Sequence, residues 1–288
     1  MPKHILISAE TGSDISQELA RELGIILIPM HVNMGDKTLD DGTFPPEEVC
    51  AYYDRTGTVP TTSACIPYDF ETVYDRIFAE DPDVQIIHLA YSAVTTCSYQ
   101  SGQLAVADKP YAERVRMLDT KHVSAGQRAV VLSVYEWLKD HPEATLDEAA
   151  AFAESCGEKT RMCFIPKNLD YLRAGGRCSN AAALVGNLLQ LHPCIEVTDG
   201  RLFAGKKYRG KLEKLAPSVL HDFDQKHRLN RDQIWFIHAP HMDEAIRTAL
   251  NAEAAAMGFR EITWVKPGCV ITCHGGAGAF GIVGTTAE

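Results

Sequence analysis

Apolar positions along this chain follow two rhythms. Short continuous runs bounded by Gly, Pro or hydroxyl residues read as buried strands, as in KHILIS at 3–8 and QIIHLA within 84–90. Between them the spacing changes to three and four. Ile15, Leu19 and Leu23 form one such helical stripe, ended by Gly24. The pattern predicts a strand over 3–8 and a helix from Asp14 with Gln17 completing a capping box. A long strand over 25–34 follows, turned back at Gly35-Asp36-Lys37 toward Thr38-Leu39. Next come a proline-opened helix over 45–55, a polar loop at 60–63 and a helix over 67–80. The first half closes with a strand at 84–90, a hydroxyl-rich loop at 92–98, a helix over 99–107 and a strand at 115–119. Helices then start at Ser124 (with Gln127) and Thr145 (with Glu148). Strand and helix in alternation predict a parallel sheet covered on both faces.

From Arg161 the pattern changes. A strand at 162–165 and a short helix at 169–173 stop at Gly175-Gly176, and a helix is expected over 181–190. Apolar pairs at 195–197 and 202–203 flank Asp199-Gly200, a strong hairpin signal. A helix from Lys211, a strand at 234–238, a helix from Asp243 and strands at 262–265 and 269–273 complete the expectation. The change places a boundary near residue 158. Residues 1–158 are expected to form a Rossmann-like α/β domain and 159–288 a mixed α/β domain.

Composition narrows the class. With 288 residues, 45% hydrophobic and 23% charged, the chain reads as an ordinary globular protein. A net charge of -10 argues against non-specific nucleic-acid binding, which needs a basic surface. The longest strong apolar run, 25–30, is broken by Pro29, so no membrane span is expected. The opening residues lack the apolar core of an export signal. Nine cysteines, an odd count at irregular spacings, then read as reduced thiols of a cytoplasmic protein.

The chemistry-bearing motifs are mostly partial. Residues 276–281 (GAGAFG) match GxGxxG, but no βαβ unit follows to hold a dinucleotide. Residues 200–207 nearly match a P-loop and fail where Ser or Thr must hold magnesium. Cys269, Cys273 and His274 lack the second ligand pair of a structural zinc site, and His238 and His241 are equally unsupported, so no metal is expected. No GxSxG, HExxH or kinase signature is present. Two hydroxyl clusters are more unusual: Thr61-Thr62-Ser63, and Ser92 with Thr95, Thr96 and Ser98. Either could simply cap a helix. Taken with a glycine-flanked His274 and the Gly175-Gly176-Arg177 turn, they point to an anion site. The run Arg201, Lys206, Lys207, Arg209, Lys211 and Lys214 is either a solvated face or a docking patch for an acidic partner or a phosphate.

In this order the motifs resemble the DegV family of bacterial fatty-acid-binding proteins over essentially the whole chain. Residues 11–15 (TGSDI) resemble the family's opening Asp/Ser-rich loop. Pro60-Thr61-Thr62-Ser63 with Asp69-Phe70 is similar to its Thr-Ser loop and following helix. Residues 92–101 sit where the family carries a Ser-Ser-x-Leu-Ser-Gly-Thr-Tyr loop. Residues 172–177 resemble its Leu-x-x-Gly-Gly-Arg turn. Pro193, the Asp199-Gly200 hairpin and Tyr208-Arg209-Gly210-Lys211 also fit in order. Residues 274–278 resemble its closing His-x-Gly-Pro-Gly. Ala93, Thr95, Cys97 and Ala277 depart from these patterns, so the second serine of the second loop is absent here.

The resemblance implies a DegV-like two-domain α/β fold with a long-chain fatty acid held between the domains. It implies that Thr61, Thr62 or Ser63, together with Ser92 and His274, faces the carboxylate, with Gly275 also among the ligand-binding residues. It sets Arg177 and Arg209 near the acyl-phosphate end. It further implies a carrier that presents the acid to a separate fatty-acid kinase and has neither cofactor nor catalytic residue of its own. An enzyme using His274 and a loop hydroxyl, or a small-molecule sensor, are the competing readings. The physics suits a carrier: hydroxyls supply neutral donors, and an imidazolium would add charge. Each buried CH₂ of a tail contributes about 0.8 kcal/mol.

Overall fold

The computed structural model describes residues 5–178 and 191–287. Strand β1 (Ile5–Glu10) passes through a short 3-10 turn into α1 (Gln17–Leu23). Three short strands follow, β2 (Ile26–Ile28), β3 (His31–Met34) and β4 (Lys37–Asp40), then α2 (Glu47–Thr56), β5 (Thr61–Ser63) and α3 (Pro67–Glu80). Alternation resumes with β6 (Gln85–Ala90), α4 (Ser98–Val106), β7 (Val115–Asp119), α5 (Ser124–Asp140) and α6 (Leu146–Lys159). The second half runs β8 (Thr160–Ile165), α7 (Leu169–Gly175), β9 (Leu191–Thr198), β10 (Arg201–Arg209), α8 (Leu212–His227) and β11 (Leu229–His238). It ends with α9 (Glu244–Ala256), β12 (Glu261–Val265), α10 (Cys269–Gly275) and β13 (Phe280–Thr286).

Strands β2-β1-β6-β7 form a parallel sheet. Its central strands are buried on both faces because helices cover both. Ile86 packs with Phe70 and Tyr74 of α3, while its neighbour Ile87 packs with Val130 and Ala149 of α5 and α6. The second sheet has order β10-β9-β8-β13-β11-β12 and is antiparallel except for β11–β12. All its strands come from Thr160 onward. A small antiparallel sheet, β4-β3-β5, completes the strands. The protein is thus mixed α/β, with one parallel and one mixed sheet. Among the described residues no helix is long and apolar enough to cross a membrane.

Several local expectations are corrected. Pro29, which has no N–H, splits the strand expected over 25–34 into β2 and β3. The polar loop at 60–63 contains a strand, β5, because its backbone pairs with β3. Ser16, not Asp14, caps α1, and Asp14 sits in a left-handed conformation. Ser124 and Gln127 do not form a capping box: their side chains reach Asp14 and Glu10 across the sheet end. The strand expected at 269–273 is the helix α10; a short apolar run does not distinguish the two by periodicity. The glycine-rich tail hides β13, which lies inside the six-stranded sheet between β8 and β11. The helix expected over 181–190 lies outside the described residues. The Thr145–Glu148 capping box and the Asp199-Gly200 turn, with both residues at positive φ, stand as expected.

Two helices of the second half reach the first: α7 through Tyr171, which joins the core around Phe70, and α10. Helix α10 leaves the six-stranded sheet and packs against α2, β3 and β5. Its Cys269, Val270 and Cys273 join the core built around Val32, Phe70 and Tyr74. The crossing carries His274 to the small sheet.

Candidate functional site: a hydroxyl and imidazole junction above an apolar cavity

Thr62 sits in the middle of β5, where pairing with Val32 of β3 fixes its direction. Its hydroxyl lies 2.9 Å from Nε2 of His274, a residue 212 positions away in sequence. His274 is the penultimate residue of α10, and two carboxylates fix the other end of that helix. Asp14 accepts a hydrogen bond from the Gly268 N–H at 2.7 Å, and Asp41 accepts one from the Cys269 N–H at 2.8 Å. Both are buried in the space between the helix start and the loops of the first half. Burial pushes the Asp14 carboxyl up to about 7, against the hydrogen bonds from Ser124 and Gly268; Asp41 adds to the rise and Arg128 opposes it. Burial likewise raises Asp41. The placement of His274 therefore depends on acids far from it in sequence.

The imidazole of His274 is enclosed. Burial, reinforced by Arg177, pushes its pKa down to about 4. The ring is neutral at ordinary pH, which corrects the expectation that an imidazolium meets the ligand. Its Nδ1 has no hydrogen-bond partner among the described residues and faces Gly175 at the end of α7. A Cβ at Gly175 would lie 2.2 Å from Nδ1, so only glycine leaves room for the ring. The next residue, Gly176, ends α7 in the left-handed conformation and turns the chain to Arg177. Arg177 donates to the Gly175 carbonyl at 2.8 Å.

Two cavities meet at His274, Tyr91 and Leu202. The smaller, about 50 Å³, is edged by Thr62, Ser63, Thr95, Thr96 and Arg177. The other, about 60 Å³, is walled mainly by apolar groups such as Val123, Met162, Phe164, Ile237 and Ile271. A polar opening on one side of the imidazole and an apolar chamber on the other can receive an anionic head and an apolar tail.

The site residues expected from sequence divide. Thr62, Ser63, Arg177 and His274 share the polar cavity, and Gly275 lines the apolar one. Thr61 lies outside both linings. Ser92 is buried, and its hydroxyl donates at 2.8 Å to the carbonyl of Gly200 in the β9–β10 turn, so it pins a hairpin. Thr95 and Thr96 of the same loop reach the cavity instead. Arg209 stands exposed at the end of β10, outside both linings. Tyr91 and Leu202 were missed; single apolar residues at strand ends carry no motif. The two cysteines of 269–273 sit one helical turn apart and are buried. Burial raises the Cys269 thiol to about 12 and Cys273 further, so both stay protonated. Among the described residues no group of three or more His, Cys, Asp or Glu is arranged to hold a metal ion.

Comparison with known proteins gives the family and the fold. Residues 4–286 match the family model described as "Uncharacterised protein, DegV family". A solved structure described as fatty acid binding of a DegV family protein from Thermus thermophilus superposes with a TM-score of 0.87. It is 28% identical, with 99% of this chain and 100% of that chain covered. A Thermotoga maritima relative described as a fatty acid-binding protein is 27% identical over 96% of each chain. A DegV domain-containing protein of Deinococcus radiodurans is 26% identical over 96% of this chain and 97% of its own. The chain belongs to the DegV family.

Proposed function

We propose that this protein binds a long-chain fatty acid, with the carboxylate in the polar cavity and the tail running past His274 into the apolar one. One observation carries the reading: the Thr62–His274 hydrogen bond stands where the polar and apolar cavities meet. A carboxylate leaving water needs several donors. Thr62 and Thr96 offer hydroxyls, Thr95 donating its own to the Ser92 carbonyl at 2.9 Å, and Arg177 supplies a charge at the rim. Neutral His274 donates from Nε2 to the Thr62 oxygen, which leaves the Thr62 proton for the carboxylate. The apolar chamber is narrow, so a long tail requires its walls to turn aside; Met162, unbranched and adaptable, is suited to that. The described fatty-acid binding of the Thermus and Thermotoga relatives supports the same ligand class. In this reading residues 1–158 and 159–288 act as two units that close on the lipid.

We infer further that the protein is a carrier that presents the carboxylate to a separate fatty-acid kinase in the cytoplasm. No carboxylate meets Nδ1 of His274 among the described residues, so nothing orients the ring as a general base. Ile66 and Val94 are exposed near the cavity-edge residues Ser63 and Thr95, as is Phe203 beside Leu202. These apolar residues and the cationic Arg177 suit a partner that approaches the head group with an anionic phosphate.

Native mass spectrometry of protein purified from cells should show a co-purified mass of fatty-acid size. Thr62→Ala should weaken oleate binding in calorimetric titration about ten- to a hundredfold, the value of one hydrogen bond to a charged group. Absence of oleate binding by the wild type rejects the ligand class. Acyl phosphate formed from ATP by the purified chain alone rejects the carrier role.

A further inference from the structure

His31 lies outside the cavity linings, yet its ring closes a loop around the head-group strand. It stands on β3, where its ladder partner is Ser63 and the next pair is Val32 with Thr62. Nδ1 of the ring lies 2.9 Å from Oδ1 of Asp40, its partner on β4. Nε2 lies 3.0 Å from Oδ2 of Asp69 in the first turn of α3. The same Asp69 oxygen accepts the Ile66 N–H at 2.7 Å. The chain therefore leaves His31 at Ser63, runs through residues 64–68 and returns to the His31 ring at Asp69. The segment so enclosed starts at the residue after Thr62.

The arrangement has one chemical requirement. A ring nitrogen can donate only when protonated, and both nitrogens face carboxylate oxygens. Both bonds form only in the imidazolium. Burial opposes that charge, but the hydrogen bonds and charges of Asp69 and Asp40 outweigh it and lift the pKa above the ordinary imidazole value. Strand β5 is uncharged throughout. Helix α10, packed on β3, brings Cys269, Cys273 and His274, all neutral at ordinary pH. Lys37 of β4 pairs at the far end of the ladder, with Met34. On α3, Glu71 and Asp75 add negative charge, and the helix's one cation, Arg76, stands seven residues, two turns, beyond Asp69.

We propose that His31 is a positioning residue for the head-group site: its doubly protonated ring holds β5 against α3, and the bound acid is released more readily as rising pH removes one of those protons. The loss turns one hydrogen bond into a lone pair facing an anion. Ser63 and Ile66 are then held by fewer ties, and Thr62 loses its fixed distance to His274. The proposal rests on the fatty-acid reading above. It makes His31, and not the neutral His274, the imidazole whose titration governs affinity.

The test is oleate binding to the full-length protein from pH 6 to pH 9, with the imidazole titration of His31 followed by NMR in the same buffers. In the wild type the dissociation constant should rise on the order of five- to tenfold, with a midpoint matching that of His31. In His31→Gln the affinity should be weak at pH 6 and lack that inflection. In Asp40→Asn, which removes one carboxylate, both midpoints should move together to lower pH. Comparing variants with the wild type cancels the titration of oleate itself. Parallel profiles in wild type and His31→Gln overturn the proposal. So does an Asp40→Asn variant whose NMR midpoint shifts while its binding profile stays put, and this arm remains available if His31→Gln does not fold. A wild type that binds no oleate at any pH rejects the ligand reading instead. The Thr62 amide shift, followed with pH without ligand, then decides whether His31 still sets that strand.

Discussion

Gly175 and Gly176 are neighbours, and the structure assigns them different tasks that one experiment separates. At Gly175 the backbone is helical and would accept alanine, but the new Cβ would lie 2.2 Å from Nδ1 of His274 and 3.1 Å from Cε1. Ordinary contact is near 3.5 Å, so the ring must retreat by roughly 1 Å. It is held at Nε2 by Thr62, so a retreat of that size breaks the bond. Overpacking of this kind costs about 1–3 kcal/mol, offset by a few tenths from better helix propensity. For a chain of this size that lowers the melting temperature by roughly 2–8 °C. Oleate affinity should fall about tenfold or more, because the head-group donor is displaced. At Gly176 the situation reverses. A Cβ there meets no described atom within 4 Å, but φ is +64°, which costs a non-glycine residue about 1–2 kcal/mol. Gly176→Ala should lower the melting temperature by a similar amount and leave affinity within about twofold. Calorimetric titration and thermal melts of both variants at one pH give the comparison. Equal loss of affinity in the two, or none in Gly175→Ala, would refute the assignment.

Three further outcomes follow from the same geometry. Ser92→Ala should destabilise the protein by about 1–3 kcal/mol through the orphaned Gly200 carbonyl, with little change in oleate affinity; a large affinity loss with an unchanged melt would return Ser92 to the head-group site. Between the usual carboxylate range and pH 7 the native state keeps a proton on Asp14 that the unfolded chain has lost, so stability attributable to Asp14 falls as pH rises through that window. Asp14→Asn should flatten this slope in denaturant titrations at pH 4 to 8, and an unchanged slope would show that other groups set it. With its pKa near 4, His274 should leave binding insensitive to its own titration above pH 6, and a histidine NMR midpoint for His274 near 6.5 would contradict that.

The alternating first half was legible because its helices and central strands bury a continuous or periodic face, and β1, β6 and β7 lie within two residues of the expected strands. The misreadings arise where tertiary contacts override local pattern. Ser124 looks like a cap by spacing, but Asp14, 110 positions away, takes its hydroxyl. Residues 269–273 carry the apolar run of a strand, yet amides at their start meet Asp14 and Asp41, and the segment coils into α10. Strand β13 is masked by glycines that fit the packing around it: a Cβ at Gly281 would press on Ile237 at 2.9 Å. For the site, residue type was the readable part. Thr62 and His274 announce themselves as hydroxyl and imidazole beside glycine or proline. Which hydroxyl of the second loop faces the cavity was not readable, because that depends on the Gly200 carbonyl across the fold.

Two of these misreadings, Ser124 and 269–273, meet at Asp14, and that meeting explains how the site is made. Helix α10 enters the first half from the second, as Tyr171 of α7 also does, and each end of α10 is fixed by residues of the first half. At its start stand two buried carboxylates from the loops after β1 and β4; at its end stands a threonine from β5. Seven residues of helix cannot be stable alone. The helix exists because Asp14 and Asp41 accept its free amides, and burying those acids raises their pKa values in return. A change at Asp41 should therefore reach His274 through the helix axis, although Asp41 lines neither cavity. Asp41→Ala would leave two amides unpaired and the helix start free to shift. Both the Thr62–His274 distance and the shape of the apolar chamber, which α10 lines with Ile271 and Thr272, would change together. Head-group and tail recognition are thus set by one short rigid element, so substitutions at its start should alter affinity for short and long acids alike, whereas substitutions at Met162 should discriminate between them.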